Sequence, residues 1–325
     1  MYNLGFDIGG TKCAVTLGND IKNGLPGEIL ADKLVFPTRA ERGWQAVVRE
    51  LLSTGDRLLA QNGLSKENVK AAGISCGGPL DSEKGLIQCP PNLPDWNDVP
   101  ICEIISEHFG CRAVLQNDAN ACAVAEWKFG AGRGLKNMIF LTFGTGMGAG
   151  LILNGQLYSG TNDLAGEVGH IRLASDGPVG YGKAGSFEGF CSGGGIARLA
   201  QRMLANAKEN GEASILFSEP ELTAKTVALA AKNGDALAGR IYRESAYRLG
   251  QALSLLIDIL NPQAIIIGSI FSRDEALFRD TAEEIIKKEC LPGAEASCRI
   301  LKAQLAENLG DLAALGLVTE KEDTP

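Results

Sequence analysis

Several short stretches of this sequence set reactive side chains beside residues that shape the backbone around them. Asp7-Ile8-Gly9-Gly10-Thr11-Lys12 puts a carboxylate at the end of an apolar run, then two glycines, a hydroxyl and an amine. Glycine lets backbone N–H groups come close to a phosphate, and Thr11 and Lys12 add donors. A carboxylate does not bind phosphate directly, but it can hold Mg²⁺ or its water shell, and Asp7 is the candidate here. Gly144-Thr145-Gly146-Met147-Gly148-Ala149-Gly150 offers a second backbone cradle of the same kind. A tight hairpin turn needing positive φ accounts for either stretch taken alone. Two such turns, one per lobe, suit a polyphosphate gripped from both sides. Neither fits the Walker A pattern or a Gly-x-Gly-x-x-Gly that opens a helix.

Asn117-Asp118-Ala119-Asn120 falls where a strand should give way to a helix. Helix N-capping explains these residue types without any chemistry. Asp118 also suits a base that accepts the proton of an attacking hydroxyl, because a loose phosphoryl-transfer transition state needs orientation more than strong deprotonation. The two accounts are compatible. Gly166-Glu167-Val168-Gly169-His170 holds one of only two histidines, with Glu188 downstream. Imidazole and carboxylates supply the donors and acceptors that sugar hydroxyls require. Pro91-Asn92-Leu93-Pro94-Asp95-Trp96 offers an amide, an acid and an aromatic ring on a proline-stiffened loop; a plain surface turn is the other account of it.

The elements that must carry these groups read as alternating strands and helices, hence α/β. Leu4–Leu17 and Met138–Leu153 each read strand, glycine turn, strand, about 135 positions apart, which suggests two similarly built lobes. A third strand should follow each copy, after Asn19-Asp20 and after Asn154-Gly155. Apolar residues at Val47, Val48, Leu51, Leu52, Leu58 and Leu59 give Trp44–Gln61 a helical period. Val69–Ser75, Ala113–Gln116 and Ala264–Ile267 read as strands. Val99–Phe109, Ala119–Phe129, Gly194–Lys208, Ala236–Leu260 and Gly310–Thr319 read as helices, the fourth stopped by Asn261-Pro262.

The bulk numbers narrow the function classes. A chain of 325 residues suggests two domains. Thirty-nine acidic against 31 basic residues, a net charge of −8, argue against nucleic acid as a partner. No apolar run approaches the roughly 18 residues of a membrane span, and Met1–Thr16 lacks the pattern of a signal peptide. The expected location is cytoplasmic. The nine cysteines are scattered with no Cys-x-x-Cys pair, so neither a disulfide framework nor a zinc ribbon is suggested.

Taken in order, these pieces resemble the ROK (repressor, open reading frame, kinase) family, which includes bacterial glucokinases and N-acetylmannosamine kinases. The resemblance covers nearly the whole chain. It runs through DIGGTK at Asp7–Lys12, GISCGGP at Gly73–Pro79, PNLPDW at Pro91–Trp96 and NDAN at Asn117–Asn120. It continues through GTGMGAG at Gly144–Gly150, AGEVGH at Ala165–His170, FEGFCSGGGI at Phe187–Ile196 and NLGDLAALG at Asn308–Gly316. It implies two actin-like, ribonuclease-H-like lobes with ATP and sugar in the cleft between them. The smaller lobe would be residues 1–116, completed by the C-terminal helix within 308–325, and the larger one residues 117–307.

By the same resemblance Asp118 is the catalytic base of an ATP-dependent sugar kinase, with Gly78, Asn92, Asn117, Glu167, His170 and Glu188 around the sugar. Asp7, Gly9, Gly10, Thr11, Lys12, Gly144, Thr145 and Gly146 would face the ATP phosphates, Asp7 meeting Mg²⁺ through water. Gly268 would lie near the nucleoside, although Ser269 stands where the family has a second glycine. A homodimer is also implied. One departure matters. Family members often follow Gly-His with cysteines that bind zinc, whereas Pro178–Glu188 reads PVGYGKAGSFE, with Val179, Tyr181 and Ser186 at those positions. None is a zinc thiolate, so no structural zinc is expected, and the loop should be held by packing with Tyr181 inserted. A sugar-binding sensor of the same fold, weakened in catalysis, is the alternative function.

Overall fold

A computed structural model describes residues 1–21 and 24–319. Its frame is a pair of five-stranded sheets with the same strand order. The first contains β1 (Tyr2–Ile8), β2 (Lys12–Asn19), β3 (Leu30–Pro37), β4 (Val69–Cys76) and β5 (Arg112–Asn117), ordered β3-β2-β1-β4-β5. The second contains β6 (Met138–Phe143), β7 (Met147–Leu153), β8 (Gln156–Tyr158), β9 (Ala264–Ile267) and β10 (Arg299–Lys302), ordered β8-β7-β6-β9-β10. In each sheet the first three strands meander antiparallel and the last two join in parallel. The repeated strand–glycine turn–strand therefore marks a repeated sheet.

Local chemistry explains where these strands turn. Asn154 and Gly155 both adopt positive φ, 54° and 75°, as a two-residue hairpin with right-twisted strands requires. Among the parallel strands β9 is apolar throughout, and all four of its residues are fully buried, as expected when helices cover both faces. Helix α1 (Trp44–Gln61) buries Val47, Val48, Leu51, Leu58 and Leu59 on one face. It packs with α2 (Ile101–Phe109) into the core of the first sheet, around Leu4, Phe6, Ile74 and Leu115. A separate core surrounds the second sheet, where Ile139, Leu141, Phe143 and Ile265 meet Leu249 and Leu253 of a long helix, Ala236–Leu260. Asn261, in the left-handed region at φ 42°, caps that helix, and Pro262 follows.

The two sheets exchange helices. Helix α3 (Asp118–Phe129) follows β5 of the first sheet yet packs on β6 and β7 of the second. Helix α4 (Leu309–Val318) follows β10 of the second sheet and packs on β1 and β4 of the first, and on α3. Of the expected C-terminal helix, residues 320–325 lie outside the described part. Glycine makes the close contact possible. A Cβ on Gly73 of β4 would fall far inside van der Waals contact distance of the Ala314 carbonyl oxygen. No described helix is long and apolar enough to cross a membrane.

Replacing Gly73 by alanine must therefore push α4 off the first sheet. The expected loss is about 1–3 kcal/mol or more of stability, read as a lowered thermal midpoint. Alanine at Gly27, where a Cβ would meet nothing within 4 Å, is the control.

Candidate functional site

The exchange of helices brings strand ends and helix starts to one crevice of about 830 Å³. Gly78 and Asn92 line it from the first sheet's side, with Asn117 and Asp118 at the β5–α3 junction. Gly144, Thr145 and Gly146 line it from the second sheet's side, with Glu167 and His170. These nine predicted residues come together. Asp7, Gly9, Gly10, Thr11, Lys12, Glu188 and Gly268 do not line that cavity directly, and each has its own relation to it.

The first glycine turn abuts the rim. A Cβ on Gly10 would lie 2.6 Å from Cβ of Asn92, so the β1–β2 turn and the Asn92 loop fit only without a side chain at Gly10. The Gly9 amide is tied to the Lys12 carbonyl at 3.2 Å. The amides of Gly10 and Thr11 have no hydrogen-bond partner among the described residues, and neither do those of Thr145 and Gly146 in the second turn. Gly144 is different, since its N–H reaches the Gly146 carbonyl at 3.1 Å. Two turns with free, exposed amides form an anion cradle of the kind phosphates occupy. Lys12 is exposed beside the first.

Asp7 ends β1 and is mostly enclosed. Its carboxyl is raised from 3.8 to about 6, by burial first and then by the negative charges of Asp118 and Asp311; Lys12 and Lys33 oppose this. Burial likewise raises Asp118, against the pull of the Ala119 amide, which donates to its Oδ1 at 2.8 Å. Excess negative charge in a confined space suits a cation. Among the described residues no three His, Cys, Asp or Glu side chains converge to hold a metal by themselves. That donor set fits Mg²⁺ carried in with phosphates and water rather than a protein-only cage.

The capping account of Asn117 is correct as far as it goes. Its Oδ1 accepts the Asn120 amide at 2.7 Å, which starts α3 and leaves Asp118 as the first helical residue, facing the crevice. Gly166 holds φ 92°, and its carbonyl accepts the Ala149 amide at 2.8 Å; this stitches the Glu167–His170 stretch to β7. Glu167 is raised by burial, then by Asp118 and Glu188, with His170 opposing. Glu188 sits behind the second turn, its Oε2 accepting the Met147 amide at 3.2 Å. The Gly268 amide is already given to the Leu141 carbonyl at 3.0 Å, so Gly268 has no free donor to offer. Ser269 beside it is held at φ 55°.

Two expectations need correction. Trp96, read as an aromatic ring available on its loop, is fully buried in the first core and anchors that loop with Leu93. Tyr181, expected to be inserted into the Pro178–Glu188 loop, is 74% exposed. The loop forms a small ribbon, Val179–Gly180 against Lys183–Ala184. Backbone bonds hold it, from Leu173 to the Gly185 carbonyl and from Gly185 to that of Pro178, at 2.8 and 3.1 Å.

Sequence reasoning also missed two residues. Asp311, at the start of α4, is buried and paired with Lys33 at 2.6 Å. Asp163 lines the crevice and accepts from the Ser82 amide and hydroxyl, both at 2.7 Å, bridging the two sides. A second carboxylate near Asp7 was signalled only by the aspartate in NLGDLAALG.

The paired 3-2-1-4-5 sheets and the crevice between them define a two-lobed α/β protein of the actin-like, ribonuclease-H-like class. The chain belongs to the ROK family, whose profile matches residues 3–321. It is 31% identical over 325 residues to the glucokinase of Halalkalibacterium halodurans, covering 99% of this chain and 96% of that protein. It is 29% identical over 296 residues to the DNA-binding transcriptional repressor Mlc of Escherichia coli, covering 90% of this chain and 71% of the repressor. Among solved structures it resembles a ROK family glucokinase from Streptomyces griseus in complex with glucose and AMPPNP. There the TM-score is 0.74 at 29% identity, covering 98% and 99% of the two chains.

The raised carboxyl of Asp7 has a consequence for stability. A folded-state value of about 6 against 3.8 means that the folded form holds the proton more tightly than the unfolded chain. The associated stabilisation is complete below pH 3.8 and lost as pH rises through about 6. Above that the ionised group costs the unliganded protein roughly 2–3 kcal/mol. Asp7→Asn should thus raise the thermal midpoint at pH 7.5 in the absence of ligands, and the gain over wild type should shrink toward pH 5.

Proposed function

We propose that this protein transfers the terminal phosphoryl group of MgATP to a hydroxyl of a hexose or N-acetylhexosamine, at the 6-position. The observation that carries the reading is the company kept by Asp118. It shares one crevice with the free amides of Thr145 and Gly146 and with Glu167 and His170. The full-length similarity to glucokinases supports the same reading.

In this proposal Gly78, Asn92, Asn117, Glu167, His170 and Glu188 hold the sugar hydroxyls, which need donors and acceptors at once. Asp118 orients the attacking hydroxyl and receives its proton. Gly9, Gly10, Thr11, Lys12, Gly144, Thr145 and Gly146 wrap the phosphates, and Gly268 lies near the nucleoside. Magnesium, when bound, supplies positive charge to the phosphates. Asp7 receives its water shell, and that partnership relieves the like-charge repulsion on the Asp7 carboxylate. In this reading the smaller lobe is residues 1–116 with the C-terminal helix, and the larger lobe is residues 117–307. The protein would work in the cytoplasm as a homodimer.

The sugar-sensing alternative draws on the similarity to Mlc. A sensor needs the hydroxyl-binding set and has no use for two electrostatically opposed carboxylates beside free phosphate cradles. The expected outcome with Asp118→Asn is retained sugar binding by calorimetry and a kcat lowered about 10²- to 10⁴-fold. ADP release would be followed over a panel of glucose, N-acetylmannosamine, N-acetylglucosamine, fructose and allose. A variant at full rate would remove Asp118 from the base role; a wild type that binds sugar but releases no ADP would favour the sensor.

A further inference from the structure

The ribbon at Pro178–Glu188 carries a feature that neither family membership nor the catalytic reading accounts for. Its two-residue turn, Tyr181-Gly182, has positive φ at both positions, 42° and 76°. Such a turn favours Asn-Gly, because only small or locally hydrogen-bonding residues sit easily in the left-handed region. A bulky aromatic residue there is a genuine outlier. Strain of this sort persists where the surroundings hold it, and it clusters at ligand-binding sites.

The side chain gains nothing from burial in return. Tyr181 is 74% exposed, yet it lines the crevice that contains Asp118, Glu167 and His170. Its one aromatic contact among the described residues is edge-to-face with His170, the ring centroids 5.9 Å apart. The ribbon is pinned to that histidine from behind, since Lys183 Nζ donates to the His170 carbonyl at 2.7 Å. Arg172 further ties it down by donating to the Ala184 carbonyl at 2.6 Å. An exposed aromatic ring is thus presented at a cleft whose other walls combine backbone, carboxylates and amides with non-aromatic apolar side chains such as Pro79, Leu80 and Leu164.

We propose that Tyr181 is a specificity-determining contact for the acceptor, its ring covering the C–H face of a pyranose whose hydroxyls are held by Glu167 and His170. A sugar ring is polar at its edge and apolar on its faces. Recognition therefore calls for hydrogen-bonding groups around the rim and one flat apolar surface, and binding sites commonly combine the two. The favoured acceptor is a pyranose with equatorial substituents, which leaves that face clear; a furanose or a ring with an axial group there stacks less well. This inference rests on the sugar-kinase reading above.

The test compares Tyr181→Phe, Tyr181→Ala and Tyr181→Asn in the full-length protein, with glucose and fructose as acceptors. Tyr181→Phe should keep KM for glucose within about twofold of wild type. The alanine and asparagine variants should raise that KM about tenfold, leave KM for MgATP and kcat nearly unchanged, and narrow the preference for glucose over fructose. Because asparagine tolerates the left-handed region, Tyr181→Asn should melt at or above the wild-type temperature. A ribbon-holding role would lower that temperature instead and overturn the proposal. An unchanged glucose KM in both the alanine and asparagine variants of an active enzyme would overturn it while leaving the kinase reading intact. A wild type that phosphorylates no sugar of the panel takes both down.

Discussion

Two carboxylates that repel each other lie at the centre of this molecule. Asp7 lies near the end of β1 and Asp118 just past the end of β5, with β4 between those strands; loss of solvation raises both carboxyls, and Asp311 adds a third negative charge near Asp7. Enclosing charge of one sign is unfavourable unless something positive arrives. Lys33 answers Asp311 directly, at 2.6 Å, and Lys12 offsets Asp7 from the exposed side. What is left over is a concentration of negative charge flanked by free backbone donors. That combination has an electrostatic meaning: it is incomplete alone, and it is complementary to a cation travelling with a polyanion.

The fold supplies the rigidity that such an arrangement demands. Each turn with free amides joins the first two strands of its sheet, so duplication of the sheet duplicates the cradle. The helix exchange then sets the distance between them. Helix α3 leaves the first sheet carrying Asp118 at its first residue and lies on the second, while α4 makes the reverse crossing with Asp311 near its start. Glycines at the contacts, Gly73 under α4 and Gly150 under α3, let helix backbone approach strand backbone. The crossing is therefore tight, and the carboxylates at the helix starts are carried on packed elements rather than on free loops.

Much of this was legible locally. Trp44–Gln61 and Ala236–Leu260 could be bounded to the residue, because helical period and the Asn261-Pro262 stop are properties of adjacent residues. The repeated strand, turn and strand announced the second lobe, and Asn154-Gly155 announced its hairpin. The crevice residues were legible as a set because family resemblance ordered them. What escaped depends on distant pairing. Lys33 meets Asp311 across 278 positions and Ser82 meets Asp163 across 81, and no local pattern encodes either. The direction of a side chain escaped too: Trp96 turned inward and Tyr181 outward from stretches that looked equally loop-like.

The ribbon shows how a site can keep its geometry when its anchoring differs from that of its relatives. Val179, Tyr181 and Ser186 stand where the resemblance leads one to expect zinc ligands. Ser186 is fully buried, and its hydroxyl accepts the Gly189 amide at 3.1 Å, capping the short helix Phe187–Cys191. That helix carries Glu188, whose carboxylate accepts the Met147 amide just past the second glycine turn. Phe187 and Phe190 on the same helix are packed into the core of the second sheet. A capped, core-anchored helix can thus fix Glu188 from one end and the turn can fix it from the other. The ribbon itself is then under no obligation to bear the load, and its tip is released to carry a side chain chosen for what it meets in the crevice.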